Sequence, residues 1–276
     1  MDDSTAEFQY VTGQARPGFA ALFAQFEDEN LRALWGRTWR LDLPYGAHTR
    51  QTFDLCLARD EPIGTVIYFH AGYWQSRDKA QFRFLAPALN DAGYNVAMVN
   101  YPLCPDVTLP QLTTCVRDVV AAVSEALPRA QHDVPLIVSG HSAGGHLSIE
   151  LALSQDTDTP KGKRIAGIVA ISGIYDLAPL VQTSLNDKLR LDDSLAQMCS
   201  PASRVKQHMP PAVFLVGGTE TPEFLRQSRE MSGAWSDSGN VSCYWPVDAE
   251  DHFSVLSQLR APDGLFLTAL RKLNCP

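Results

Sequence analysis

The chain has 276 residues, of which 45% are hydrophobic and 20% charged, and it carries a net charge of −8. That length suits one large α/β domain or two small ones, with room for a sizeable core. The acidic balance gives no electrostatic reason to expect nucleic acid or an anionic membrane surface, and no apolar run approaches a membrane span.

Met1-Asp2-Asp3-Ser4-Thr5 is acidic and polar, unlike a signal peptide. Cys56, Cys104, Cys115, Cys199, Cys243 and Cys275 are scattered, with neither C-x-x-C nor metal-ligand spacing. They read as small apolar residues in a reducing compartment, and the expectation is a cytoplasmic protein.

Residues 19–35 are patterned as an amphipathic helix outside the main sheet, with Phe23, Phe26, Leu31 and Leu34 turned inward. Residues 38–43 and 51–58 read as an antiparallel hairpin, parted by Pro44-Tyr45-Gly46. A long alternation follows. Strands are expected at 64–69, 94–101, 134–139, 165–172, 212–216 and 241–246. Helices are expected at 79–92, 110–127, 143–153 and 222–235, with a last one ending near Leu273. This alternation predicts an α/β fold, a mostly parallel sheet of about eight strands covered on both faces. We expect one domain over 1–276, with a helical extension at 1–36. Residues 177–208 break the rhythm as a long, polar connection, which reads as a partly helical, cap-like insertion over the site.

The chemistry centres on Gly140-His141-Ser142-Ala143-Gly144, a G-x-S-x-G string between an expected strand and an expected helix. In that context the serine stands clear of the sheet on a tight turn, where a side chain at Gly140 or Gly144 would collide with nearby backbone. A serine needs a base and a group to orient it. His252 follows the last strand, at the edge where open α/β sheets bind ligands, and is the expected general base and acid. His208 precedes a strand and so falls at the opposite edge. His146 reads as a buried, hydrogen-bonded residue, and His141 as structural. Glu220, after residues 212–216, is the expected acid. Asp176 and Glu223 are its rivals, and Asp251 is disfavoured by adjoining His252. The expected oxyanion donors are the N–H groups of Ala143, Gly72 and Tyr73, with Ala71 as a further candidate. His70 would brace that loop. Tyr73, Trp74 and Phe253 flank the site and are candidate substrate contacts.

These residues resemble the α/β-hydrolase superfamily, in particular its H-G-G-x-W group related to hormone-sensitive-lipase-like esterases. The most similar family is that of the kynurenine formamidases, or arylformamidases. The resemblance rests on His70-Ala71-Gly72-Tyr73-Trp74, Tyr101-Pro102-Leu103, Gly140 to His146, Ser172-Gly173-Ile174-Tyr175-Asp176-Leu177 and Pro222-Glu223-Phe224. It implies an acid just before Thr221-Pro222-Glu223-Phe224, hence Glu220, although aspartate is commoner there; Ala71 replaces the family's first glycine. It further implies a serine hydrolase that cleaves N-formylkynurenine to kynurenine and formate. A carboxylesterase for short acyl or aryl esters is the alternative, and a non-catalytic small-molecule binder on the same fold is the reading from another class. No metal or organic cofactor is required. A small-molecule amide or ester is the expected partner, and the resemblance leaves a homodimer open.

Overall fold

The computed structural model describes residues 4–155 and 164–273; Cys275 lies outside them. A short helix, α1 (Ala6–Tyr10), is capped by the Thr5 hydroxyl and is followed by α2 (Phe19–Arg32). The strands are β1 (Thr38–Pro44), β2 (Thr52–Leu57), β3 (Gly64–Phe69), β4 (Tyr94–Val99), β5 (Leu136–His141), β6 (Ile165–Ile171), β7 (Ala212–Gly217) and β8 (Ser242–Val247). They form one sheet in the order β1-β2-β4-β3-β5-β6-β7-β8. The β1–β2 and β2–β4 pairings are antiparallel, and the rest are parallel. This is the expected α/β-hydrolase sheet, entered through the expected hairpin.

The remaining helices are α3 (Ala86–Asp91), α4 (Leu109–Cys115), α5 (Val119–Ala126), α6 (Ala143–Leu153), α7 (Asn186–Leu189), α8 (Asp193–Met198), α9 (Pro222–Asp237), α10 (Val255–Leu259) and α11 (Leu265–Leu273). Alternation along the strands divides the core between the two faces. Ile67 and Phe69 of β3 join Leu112, Val119, Leu147 and Phe224 on one side. Val66 and Tyr68 join Phe26, Leu89, Leu256 and Phe266 on the other. Strands β3, β4, β5 and β7 are buried along their whole length, which accounts for their continuous apolar runs.

The elbow helix α6 begins and ends where the pattern placed it. Other elements differ from expectation. Residues 79–92 begin as a 3-10 helix, Lys79–Leu85, before α3. The helix expected at 110–127 is broken by a 3-10 turn at Val116–Asp118. Leu31 is 65% exposed, and Asn30 takes the inward position because its Oδ1 accepts from the Phe84 N–H at 2.9 Å. Residues 177–208 hold α7 and α8 between 3-10 turns at Ala178–Gln182 and Pro201–Arg204. The cysteines among the described residues are unbridged. None of the described helices is long and apolar enough to cross a membrane.

Candidate active site

Strands β3, β5, β6, β7 and β8 bring their carboxyl ends to one edge, and the candidate residues follow them directly. Ser142 comes straight after β5, with φ 57° and ψ −117°. Its N–H donates to the Ile171 carbonyl at 2.8 Å, so the strained turn is tied to the neighbouring strand. The glycines permit a close crossing. A Cβ at Gly140 would lie 2.2 Å from the Gly144 carbonyl oxygen, and one at Gly144 would lie 2.0 Å from that of Phe69. Ser142 is 1% exposed, and its hydroxyl has no hydrogen-bond partner among the described residues.

His252, in the loop after β8, is 2% exposed. Its Nδ1 lies 2.7 Å from Glu220 Oε2. The other carboxylate oxygen, Oε1, accepts from the Ser172 hydroxyl at 2.5 Å and from the Gly217 N–H at 2.7 Å. The imidazole packs 4.5 Å from the ring of His141, the residue before Ser142, and 4.5 Å from that of Phe224. The other carboxylates are engaged elsewhere. Asp176 pairs with Arg226 at 3.1 Å. Glu223 pairs with Arg226 at 2.7 Å and accepts from the Tyr10 hydroxyl at 2.8 Å. The Arg226 guanidinium holds the Glu223 carboxyl below its ordinary pKa. Asp251 accepts from the N–H groups of Phe253 and Ser254, next to its own position in the loop.

The loop after β3 runs through a succession of positive φ angles: 131° at Gly72, 50° at Tyr73 and 59° at Trp74. It is held from below. The Tyr101 hydroxyl donates to the His70 carbonyl at 2.8 Å, and the Cys104 N–H donates to that of Trp74 at 2.8 Å. His70 Nδ1 donates to the Ala71 carbonyl at 2.6 Å, and the ring stacks on Tyr101 at 4.3 Å. Burial pushes the His70 pKa down to about 4, so the ring is neutral. The N–H groups of Gly72, Tyr73 and Ala143 donate to no group among the described residues.

Residues 54–234 match the BD-FAE family model. A kynurenine formamidase from Danio rerio is 31% identical over 240 residues, covering 84% of this chain and 81% of that protein. A solved structure from Silicibacter sp. TM1040, for which a thioesterase activity has been suggested, is 30% identical and superposes with a TM-score of 0.86 over 98% of this chain and 99% of that one. Esterase B of Lactobacillus rhamnosus shares the fold at a TM-score of 0.68 and 20% identity, over 93% of this chain and 94% of that one.

The chain belongs to the BD-FAE family. Together with the relatives named here, this places it among the α/β-hydrolases, and it is a hydrolase.

Several residues of this BD-FAE chain take positions the sequence did not disclose. Ser172 opens one of the motifs that carry the resemblance, but the sequence assigns it no role; its hydroxyl donates to Glu220. The N-terminal segment also joins the site. The Tyr73 hydroxyl donates to the Tyr10 carbonyl, so that phenol is tied to α1. Thr221 Oγ1 donates to the Gln9 carbonyl at 2.7 Å and accepts from Gln14 Nε2 at 2.7 Å. Tyr10 is fully buried, with its ring 5.7 Å from Phe224. Trp74 is also fully buried, edge-on to His146 at 5.0 Å. Phe253 packs against Phe19 and Phe23 of α2 at 4.9 and 5.0 Å. His146 Nε2 donates to the Cys199 carbonyl at 2.9 Å, the buried and bonded state expected of it. His208 is exposed before β7, at the opposite edge. Among the described residues no group of three or more His, Cys, Asp or Glu side chains is placed to hold a metal ion.

Proposed function

We propose that the chain is a serine hydrolase that cleaves a small acyl group from an aryl amide, with N-formylkynurenine as substrate. The hydrogen bond between Glu220 and His252, formed against the residue that precedes Ser142, carries this reading. A carboxylate only accepts hydrogen bonds, so His252 Nδ1 holds the proton and Nε2 offers its lone pair. His252 takes the Ser142 proton as Oγ attacks the formyl carbon. The N–H groups of Ala143, Gly72 and Tyr73 receive the developing oxyanion; their lack of partners among the described residues supports that role. The imidazolium then protonates the departing aryl nitrogen, releasing kynurenine. Water, deprotonated by His252, attacks the formyl-serine ester and releases formate and free Ser142. Trp74, fully buried against His146, is withdrawn from the substrate contacts, whereas the Phe253 ring packs 5.0 Å from that of His252 and borders the site.

The Danio rerio relative supports the formamidase substrate. A second reading, hydrolysis of short acyl or aryl esters, is favoured by the activity suggested for the Silicibacter relative. The experiment is steady-state hydrolysis of N-formylkynurenine beside p-nitrophenyl acetate and butyrate, with Ser142→Ala as control. A kcat/KM several orders of magnitude higher for N-formylkynurenine supports the first reading. Cleavage of the esters without N-formylkynurenine turnover overturns it in favour of the second. A wild-type protein inert on all of them restores the binding-protein reading.

A further inference from the structure

We infer that Ser172 is a positioning residue for Glu220, supplying the second anchor that a glutamate needs where a shorter acid would need less. The inference rests on the triad reading above. Glu220 lies beyond the end of β7 and reaches back, its Oε1 accepting from Gly217 N–H of that strand at 2.7 Å. One such bond leaves the carboxylate free to swing about it, because a glutamate has one more rotatable bond than an aspartate. The Ser172 hydroxyl removes that freedom by donating to the same Oε1 at 2.5 Å. With two donors on Oε1, Oε2 is left facing His252 Nδ1 at 2.7 Å.

The hydroxyl is itself rigidly placed. Ser172 is fully buried directly after β6, and its N–H donates to the Leu215 carbonyl of β7 at 2.7 Å. Its φ is 47°, a conformation in which glycine is more comfortable than serine. A side chain kept at a backbone cost is one whose hydroxyl is used. Ser172 touches neither reacting atoms nor substrate in this scheme; it acts through Glu220.

The left-handed backbone provides the test. Ser172→Gly removes the hydroxyl and relieves the backbone, and the thermal midpoint reports whether the fold is kept. With N-formylkynurenine and p-nitrophenyl acetate as probes, kcat/KM is expected to fall about 10- to 100-fold, in kcat more than in KM. The thermal midpoint should hold or rise. A carboxylate that has lost a donor attracts the imidazolium more strongly, so the acid limb of the pH–rate profile should move to higher pH. Wild-type kcat/KM and an unmoved acid limb in Ser172→Gly overturn the inference, as does an activity loss accompanied by a lowered midpoint and an unmoved limb. Ser142→Ala, assayed in parallel, separates the two claims. If it is inactive while Ser172→Gly is normal, only the role of Ser172 fails. If Ser142→Ala still turns over, the triad reading fails with it.

Discussion

Ser142 is held at φ 57° by a bond to the adjacent strand, so its Cα–Cβ direction is set by the sheet. Substituting it should therefore leave the fold intact. Ser142→Ala is expected to lower kcat/KM by at least about 10³-fold with an unchanged or higher thermal midpoint, read by initial rates and a melt. Glu220→Gln tests the tautomer. Its amide can turn a donor toward His252 Nδ1, which favours the inverted ring; a loss of about 10³-fold in kcat is expected, with the thermal midpoint as control for folding. At this scale the sequence nominates candidates where chain order and motif coincide, as for Ser142 and His252. Chain order also nominated Glu220 over Asp176 and Glu223; that Arg226 engages both rivals was not legible. Ser172 stood in a motif, but its contact with Glu220 was illegible, because a serine carries no mark of a partner 48 positions away.

Long apolar elements were legible and short tethered ones were not. The buried strands and α6 announce themselves through continuous hydrophobic runs closed by glycine or a turn. The close crossing of α6 over β3 makes Gly144 strict. Gly144→Ala, whose Cβ would meet the Phe69 carbonyl at 2.0 Å, is expected to destabilise by about 3 kcal/mol or more, measured by urea denaturation. By contrast α1 has five residues, too few to be stable alone, and it is secured by partners far along the chain. The Tyr10 hydroxyl reaches Glu223, 213 positions away, and Glu7 accepts from Ser184, 177 positions away. Local pattern has no access to such bonds. The Tyr73 hydroxyl fastens α1 to the loop after β3, so Tyr73→Phe keeps the ring and loosens the segment. The expected result is a loss of about 1–2 kcal/mol of stability and faster inactivation by phenylmethanesulfonyl fluoride as Ser142 becomes more accessible; an unchanged inactivation rate would show that α1 does not limit access.

Across the whole molecule, three histidines are buried in forms that resist protonation. Burial lowers the pKa of His70 from 6.5 to about 4 and lowers those of His141 and His146. Unfolding restores their ordinary affinity for protons, so the unfolded chain binds more of them. Their contribution to stability is present above pH 6.5 and, for His70, is lost as pH falls from there to about 4. Each group should contribute up to about 1.4 kcal/mol per pH unit within its window. The urea midpoint is therefore expected to drop between pH 7 and pH 5, and His70→Gln should flatten that slope; a flat wild-type curve would contradict it. Both open edges of the sheet are guarded, β1 by a register break between Arg40 and Leu43 and β8 by Pro246. The attachment of α1 also imposes an order in time on biosynthesis. Helix α1 can dock only after Thr221 and Glu223 have emerged from the ribosome, and His252 emerges later still. A nascent chain therefore passes through an incomplete hydrolase, with α1 undocked and Ser142 still without the base we propose for it.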